Sequence, residues 1–271
     1  MQIKKIFPII VLYKCTLAEA RSYVSLLKNA DGLESFMLYD NSPASYTQNI
    51  DNLPSNAIYV RDTSNSGLAK AYNAGAQKAL ELGYTHLLVL DQDTFFPKGA
   101  WEAYNENLDF NGVVAPQMVT DKGVPFSPSK WLQNAELLTA GDYSLYQYCV
   151  ANSGICVPLT VFNDVGGYDL KVYLDYSDRQ FLRRVRVKYP NIRLMKVIAQ
   201  QDFSGDCRDY KKLLPRFILY LDSVRNFTTE GLIDCVGHSF LVFKHSVALT
   251  LRTHNPIFLK KFFTIFVLNR K

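Results

Sequence analysis

The sequence predicts an α/β chain: a mostly parallel sheet flanked by helices and followed by an amphipathic helical tail. Three observations predict it. Residues 87–90 (Leu-Leu-Val-Leu) are apolar at four consecutive positions, as a strand buried on both faces requires. The alanine-rich stretch 68–82 has a helical pattern, is closed by Gly83 and leads into that strand. The first 90 residues read as strand, helix, strand, strand, helix, strand, the order of a doubly wound sheet with right-handed crossovers.

Taken in order, residues 6–13 (IFPIIVLY) are the first strand. With Met1-Gln2-Ile3-Lys4-Lys5 before it, this run loosely imitates a signal peptide, but Pro8 interrupts it and no small-residue cleavage site follows. A helix begins at Cys15 or Thr16, with Ala20, Tyr23, Val24 and Leu27 at spacings of three and four, and stops near 29–32. Residues 33–39 form strand two, which ends in Asp40-Asn41-Ser42-Pro43, a carboxylate followed by a turn. Residues 57–60 form a short strand, and Asn65-Ser66-Gly67 opens the alanine-rich helix. Beyond the central strand, 98–108 is a helix, 112–119 a strand and 121–148 an irregular excursion rich in Pro, Ser and aromatics. Residues 148–158 read as a strand broken at Asn152-Ser153-Gly154, then 159–165 as a short helix ended by Gly166-Gly167. The second half of VYLDYSDRQFLRRVRVKYP is helical, 193–199 is a last strand and 211–230 a helix.

A hydrophobic share of 48% supports a substantial core, and no apolar run reaches the length of a spanning helix. The expected division is a domain over 1–230 and a tail over 231–271. Five cysteines stand without paired spacing and with no histidine cluster, which fits reduced thiols and argues against zinc. The net charge of +5 is local. From Leu232 onward stand six Lys/Arg and one Asp, out of 30 basic and 25 acidic residues, so the body carries as many acids as bases. A nucleic-acid-binding domain would carry its basic patch on the fold, so none is expected to bind here.

The central strand ends in Asp91-Gln92-Asp93. Ligands of open α/β sheets sit beyond the carboxyl ends of strands, and side chains two apart share a face. Asp91 and Asp93 therefore point at one site, where two hard oxygen donors suit a divalent ion that also holds phosphate oxygens. A strand stop with Asp capping a turn is the plainer reading of the pair alone.

The order of a strand leading to Tyr13, a strand leading to Asp40-Asn41, NSGLAKAYNAG before LLVLDQDT, and a second NSG and GGYD before YLDYSDRQFLRR resembles family 2 glycosyltransferases. These are inverting enzymes of GT-A fold that use nucleotide-diphosphate sugars. The Asp-Gln-Asp form looks most like the bacterial rhamnosyltransferase branch, and the resemblance covers roughly 6–226. It implies a Mg²⁺ or Mn²⁺ ion on Asp93, with Asp91 on the ribose or at the metal. It places Tyr13 and Asp40 beside the nucleobase, and Asn65, Gly67 and Asn73 along the nucleotide pocket. Ser153, Gly154, Asp175 and Arg184 join the substrate site. The catalytic base is Asp178, six residues before Arg184; Asp175 is its rival, with a helix N-cap as the plain reading. Gln180 stands where relatives often carry a second acid. Gln201 stands where they carry a metal-binding histidine, and Asp202 is an alternative ligand. His86 is expected to pack.

The tail alternates apolar clusters with bases and breaks at Pro256 into two amphipathic helices. Phe262, Phe263 and Phe266 with Lys260, Lys261, Arg270 and Lys271 suit an anionic membrane surface. Packing on the body or on a second subunit, giving a homo-oligomer, is the other reading. Together these imply sugar transfer, L-rhamnose from dTDP-rhamnose included, to a polysaccharide or lipid-linked acceptor at the cytoplasmic face of a bacterial plasma membrane. Two rivals are a sugar-phosphate nucleotidylyltransferase, disfavoured because Tyr13-Lys14-Cys15-Thr16 offers no glycine-rich phosphate loop, and a non-catalytic sugar-nucleotide-binding relative, to which Gln180 and Gln201 point.

Overall fold

A computed structural model describes residues 4–131, 134–202 and 208–268. The strands are β1 Ile6–Leu12, β2 Phe36–Asp40, β3 Ala57–Arg61, β4 His86–Asp91, β5 Thr94–Phe95, β6 Val113–Thr120, β7 Pro125–Ser127, β8 Ser129–Lys130, β9 Gly141–Ser144, β10 Tyr148–Cys149, β11 Cys156–Pro158 and β12 Asn191–Gln201. The α-helices are α1 Gly67–Glu81, α2 Ala100–Glu106, α3 Leu159–Asp164, α4 Ser177–Lys188, α5 Tyr210–Arg225, α6 Gly231–Thr253 and α7 Ile257–Lys261. The main sheet runs β3-β2-β1-β4-β11-β6-β12-β5, with β7 on β6 and β9 on β12; β8 and β10 form a separate ribbon. β3, β2, β1 and β4 are parallel, as are β6 and β12, whereas β11 returns antiparallel between β4 and β6.

Every residue of β1 is buried, because the sheet is covered on both faces. Alternation divides it: Phe7, Ile9 and Val11 join a core with α1 and α4, while Ile6, Ile10 and Leu12 join a second core with α2. The helix expected from 15 or 16 contracts to a wide turn over Tyr23–Leu27. Thr16 is tied to the Glu19 carboxylate, and the Arg21 amide is drawn to the Gln92 carbonyl at 2.7 Å, which fixes this segment against the end of β4. The excursion over 121–148 is more regular than its composition suggests, since β7 and β9 add to the edges of β6 and β12.

Of the two readings of the tail, the structure realises packing on the body for part of it. Phe258, Phe262 and Phe266 are buried in a third core with Phe217, Leu221 and Val224 of α5 and Val242 and Leu249 of α6. That core crosses residue 230, where the domain was expected to end. Phe262 and Phe266 therefore face inward rather than toward a membrane, and Phe263 alone of the three is exposed. Arg270 and Lys271 lie outside the described residues. The chain breaks at His254-Asn255-Pro256, as Pro256 demands. One length argument is also corrected: α6, 23 residues long with an 18-residue stretch of mean hydropathy 1.3, is long and apolar enough by composition to cross a membrane. It is nevertheless docked, with Asp234 paired to Arg183 of α4 and His238 buried beside the Val224 carbonyl.

Candidate active site

β4 ends at Asp91, and each residue of the following turn has its own tether. The Asp91 amide donates to Ser153 Oγ at 3.0 Å, and Ser153 Oγ pairs with Thr94 Oγ1 at 2.7 Å. Tyr72, fully buried on α1, donates its hydroxyl to Asp91 Oδ1 at 2.8 Å. Gln92 turns away to Tyr13, accepting its N–H at 2.7 Å. The antiparallel register of β5 on β12 sets Gln201 opposite Thr94, and Gln201 Nε2 donates to Asp93 Oδ1 at 2.8 Å. Gln201 thus stands at the carboxylate pair, where the resemblance put a histidine. Asp202 is exposed, and its charge reaches Asp93. Residues 203–205 of the stretch matched to that motif lie outside the described residues.

Burial lifts the Asp91 carboxyl above the ordinary range, and the charges of Asp93 and Asp178 lift it further. Burial also lifts Asp93, against the Gln201 hydrogen bond. Asp178, in the first turn of α4, is raised by burial too, with Arg179 opposing and Asp175 adding. Three carboxylates thus feel one another at the sheet's carboxyl edge, a concentration of negative charge that a divalent cation would relieve. The donor set of Asp91 and Asp93 fits Mg²⁺ or Mn²⁺. No group of three His, Cys, Asp or Glu among the described residues forms a complete cage, so phosphate oxygens or water would supply the remaining ligands.

Beside the pair opens a cleft of about 570 Å³. Of the expected residues it is lined by Tyr13, Asn65, Gly67, Asp91 and Asp93. Gly67 begins α1 at φ +90°, and a Cβ there would lie 2.4 Å from the Tyr173 ring, so no side chain fits. The Tyr173 carbonyl accepts the Leu68 N–H at 2.7 Å, which fixes the α1 N-terminus against the loop that leads to α4.

Several expected residues serve the scaffold instead. Asp40 is fully buried, with one oxygen accepting the Ser42 N–H and the other accepting Tyr59 and Arg61, so it presents nothing to a base. Its neighbour Asn41 lines the cleft, with Oδ1 buried and unpartnered. Asn73 spends both ends of its amide on the Tyr168 backbone, at 2.8 and 2.9 Å. It clamps the Gly166-Gly167 turn, where a Cβ on Gly167 would meet Asn73 Oδ1 at 2.6 Å. Arg184 donates to the Gly167 carbonyl and holds the same turn. Ser153 and Gly154 brace the end of β4. Asp175 is not a helix cap: Tyr176 at φ 65° takes that place, and Asp175 forms a two-pronged pair with Arg216. Gln180 bonds Thr228 by both ends of its amide, tying α4 to the link between α5 and α6. His86 is packed at the far end of β4, with burial pushing its imidazole down to about 4.

Sequence reading missed Tyr72, Asn41, Lys212 and Arg216. The last two line the same cleft from α5, and their spacing of four on a helix was the available signal. Tyr72 had none, since a tyrosine in an alanine-rich helix reads as packing.

The model of the family described as Glycosyl transferase family 2 matches residues 9–156. The dTDP-rhamnosyl transferase RfbF of Shigella flexneri is 29% identical over 127 residues, or 44% of this chain, and the chain spans 43% of that relative's length. Among solved structures, GalNAc-T7 with UDP, GalNAc and Mn²⁺ has a TM-score of 0.55 at 12% identity, over 93% of this chain and 58% of that one. S. aureus TarS has 0.53 at 13%, over 98% and 44%. At these identities the likeness shows the fold, GT-A, and nothing finer.

Proposed function

The chain belongs to glycosyl transferase family 2, and from that premise we propose that it moves a sugar, with inversion, from a nucleotide-diphosphate donor to a glycan or lipid-linked acceptor. The observation that carries this reading is the carboxylate pair Asp91 and Asp93 in a cleft that Lys212 and Arg216 of α5 also line, with the charge of Asp178 reaching Asp91 from the first turn of α4. The donor nucleotide lies in that cleft against Tyr13, Asn41 and Asn65, with its diphosphate between the carboxylate pair and the α5 cations. Asp178 takes the proton of the acceptor hydroxyl as that oxygen bonds to the anomeric carbon and the diphosphate oxygen departs. Its raised pKa makes it a stronger base than an exposed aspartate. Tyr72 holds Asp91 in place, and Lys212 meets charge developing on the leaving group. A Mg²⁺ or Mn²⁺ ion on Asp91 and Asp93 would add further neutralisation of that charge.

Similarity to the Shigella relative supports dTDP-L-rhamnose as the donor. The exposed apolar row of α6 (Leu232, Ile233, Val236, Phe240 and Leu251) near Lys244 supports docking on an anionic membrane at the cytoplasmic face. A thermal-shift panel of sugar nucleotides, with and without Mg²⁺ or Mn²⁺, tests the reading, since a donor that binds only the folded state must raise the melting temperature. The expected hit is dTDP-L-rhamnose with the ion present. If no sugar nucleotide stabilises the protein, the transferase reading is lost.

A further inference from the structure

Trp131 of the excursion is faced by three guanidiniums of α4. Arg179, Arg183 and Arg186 lie 5.7, 5.1 and 5.2 Å from its ring centroid. Crowded cations need counter-charges, and two of the three have them. Arg183 donates to both oxygens of Asp234, at 2.6 and 2.7 Å, and Arg186 pairs with Glu230. Arg179 has no such hydrogen-bonded partner: among the described residues no oxygen accepts from its guanidinium, and the carboxylate whose charge it feels is that of Asp178. Asp178 beside it accepts only the Arg179 backbone N–H, at 2.7 Å. The side chain is half-buried, with Tyr176 at 5.2 Å on its other flank. A guanidinium offers five donors in a fixed fork, and leaving them unanswered in a partly dry place costs free energy that a bound oxyanion would recover.

Position indicates which molecule carries that oxyanion. Arg179 directly follows Asp178, and neither Arg179 nor Trp131 lines the cleft assigned to the donor. The donor's diphosphate is therefore not the group it meets. We propose that Arg179 binds an anionic group, a phosphate or a carboxylate, on the acceptor itself, with Trp131 packed beside it. This rests on the assignment of Asp178 as base. It makes the acceptor class a phosphorylated or uronic-acid-containing saccharide rather than a neutral one.

The protein has two tryptophans, their indoles tied to the Asp31 carbonyl (Trp101) and the Leu145 carbonyl (Trp131); only Trp131 stands beside Arg179, so its indole signal in a nitrogen-15 spectrum is a local reporter and that of Trp101 an internal control. The full chain is titrated with methyl α-glucopyranoside 6-phosphate, with methyl α-glucuronoside and with neutral methyl α-glucopyranoside. One or both anionic probes should move the Trp131 signal saturably and more weakly as salt rises, while the neutral probe leaves it at least tenfold less responsive. The two anionic arms tell phosphate from carboxylate. Arg179→Gln should weaken the responding probe at least tenfold, and dTDP should not displace it. If the variant does not fold, the discrimination between charged and neutral probes and its salt dependence in the native protein decide. Equal response to the neutral probe, no response to either anion, or unchanged affinity in Arg179→Gln overturns the proposal. Binding of dTDP to the same sample separates the two readings: nucleotide without glycoside removes only this inference, and neither ligand removes the transferase assignment as well.

Discussion

At the scale of single residues, the site is a set of carboxylates held where they repel one another. Asp178→Asn keeps the shape and removes the base, so turnover should fall roughly 10²–10⁴-fold while donor affinity barely changes. Nucleotide release with acceptor, set beside donor binding, checks this. Asp175→Asn should leave turnover near normal and cost about 1 kcal/mol or less, because its partner Arg216 is half-exposed. If Asp175→Asn is the inactive variant, the two roles are exchanged. Because Asp178 must be ionised and its pKa is raised, the acid limb of kcat/KM should lie above the ordinary carboxylate range near ~4. Asp91 gives the matching stability test. A carboxyl raised on folding carries no cost below its unfolded pKa of about 3.9 and the full cost above its folded value. In chelator, Asp91→Asn should therefore raise the melting temperature at neutral pH, with the gain vanishing near pH ~4. A lower melting temperature at neutral pH would show that Asp91 is not under that strain.

At the scale of elements, the base depends on how α4 is held. Its start meets the loop through Tyr173, whose carbonyl caps α1 across Gly67, and its outer face is pinned to α6 by Arg183 and Asp234. Gly67→Ala forces a Cβ into Tyr173 at a positive φ and should cost about 3 kcal/mol, with donor binding lost alongside. Asp234→Ala strands a buried guanidinium and should cost about 3 kcal/mol, read by denaturant unfolding. Loss of less than about 0.5 kcal/mol would mean the pair is solvated and does not position α4. How far these elements were legible in the sequence follows from what is local. β4 and α1 were read within a residue or two because apolar runs, Ala, Gly and turn residues act within a few positions. The short strands of 121–148 were not: β9 is defined by β12, distant in sequence, and β7 is a three-residue return onto β6, too short to carry a pattern of its own.

At the scale of the whole molecule, the tail is both a packing element and an exposed apolar face. Deleting everything after Glu230 removes most of the third core and should unfold α5 rather than release a free domain, so the cleaner test keeps the chain whole. Ile233→Glu with Phe240→Glu alters exposed positions, 89% and 62% accessible, and should leave stability within about 0.5 kcal/mol. The native protein should sediment with anionic vesicles and the double variant should not, with salt weakening the attachment only in part. Retention of the double variant on vesicles would place the contact elsewhere. A native protein that ignores vesicles but dimerises through this row would show a second copy to be its partner.

The sequence by itself determined the sheet class, the central strand and the acid pair at its end, because strand burial and turn chemistry are written in neighbouring residues. The family resemblance, which sets an acid six residues before Arg184, pointed to Asp178, and the structure has it in the first turn of α4. Only the tertiary structure decided which of the polar residues are free to act. Asp40 is consumed by Arg61, which lies one strand over, and Asn73 by a turn 95 positions away. Tyr72 reaches Asp91 only because α1 packs across β4, and Phe262 and Phe266 turn inward only because α5 is there to receive them. A side chain's chemistry is local, but whether its hydrogen bonds and its apolar surface are already spent depends on partners that the fold alone brings within reach.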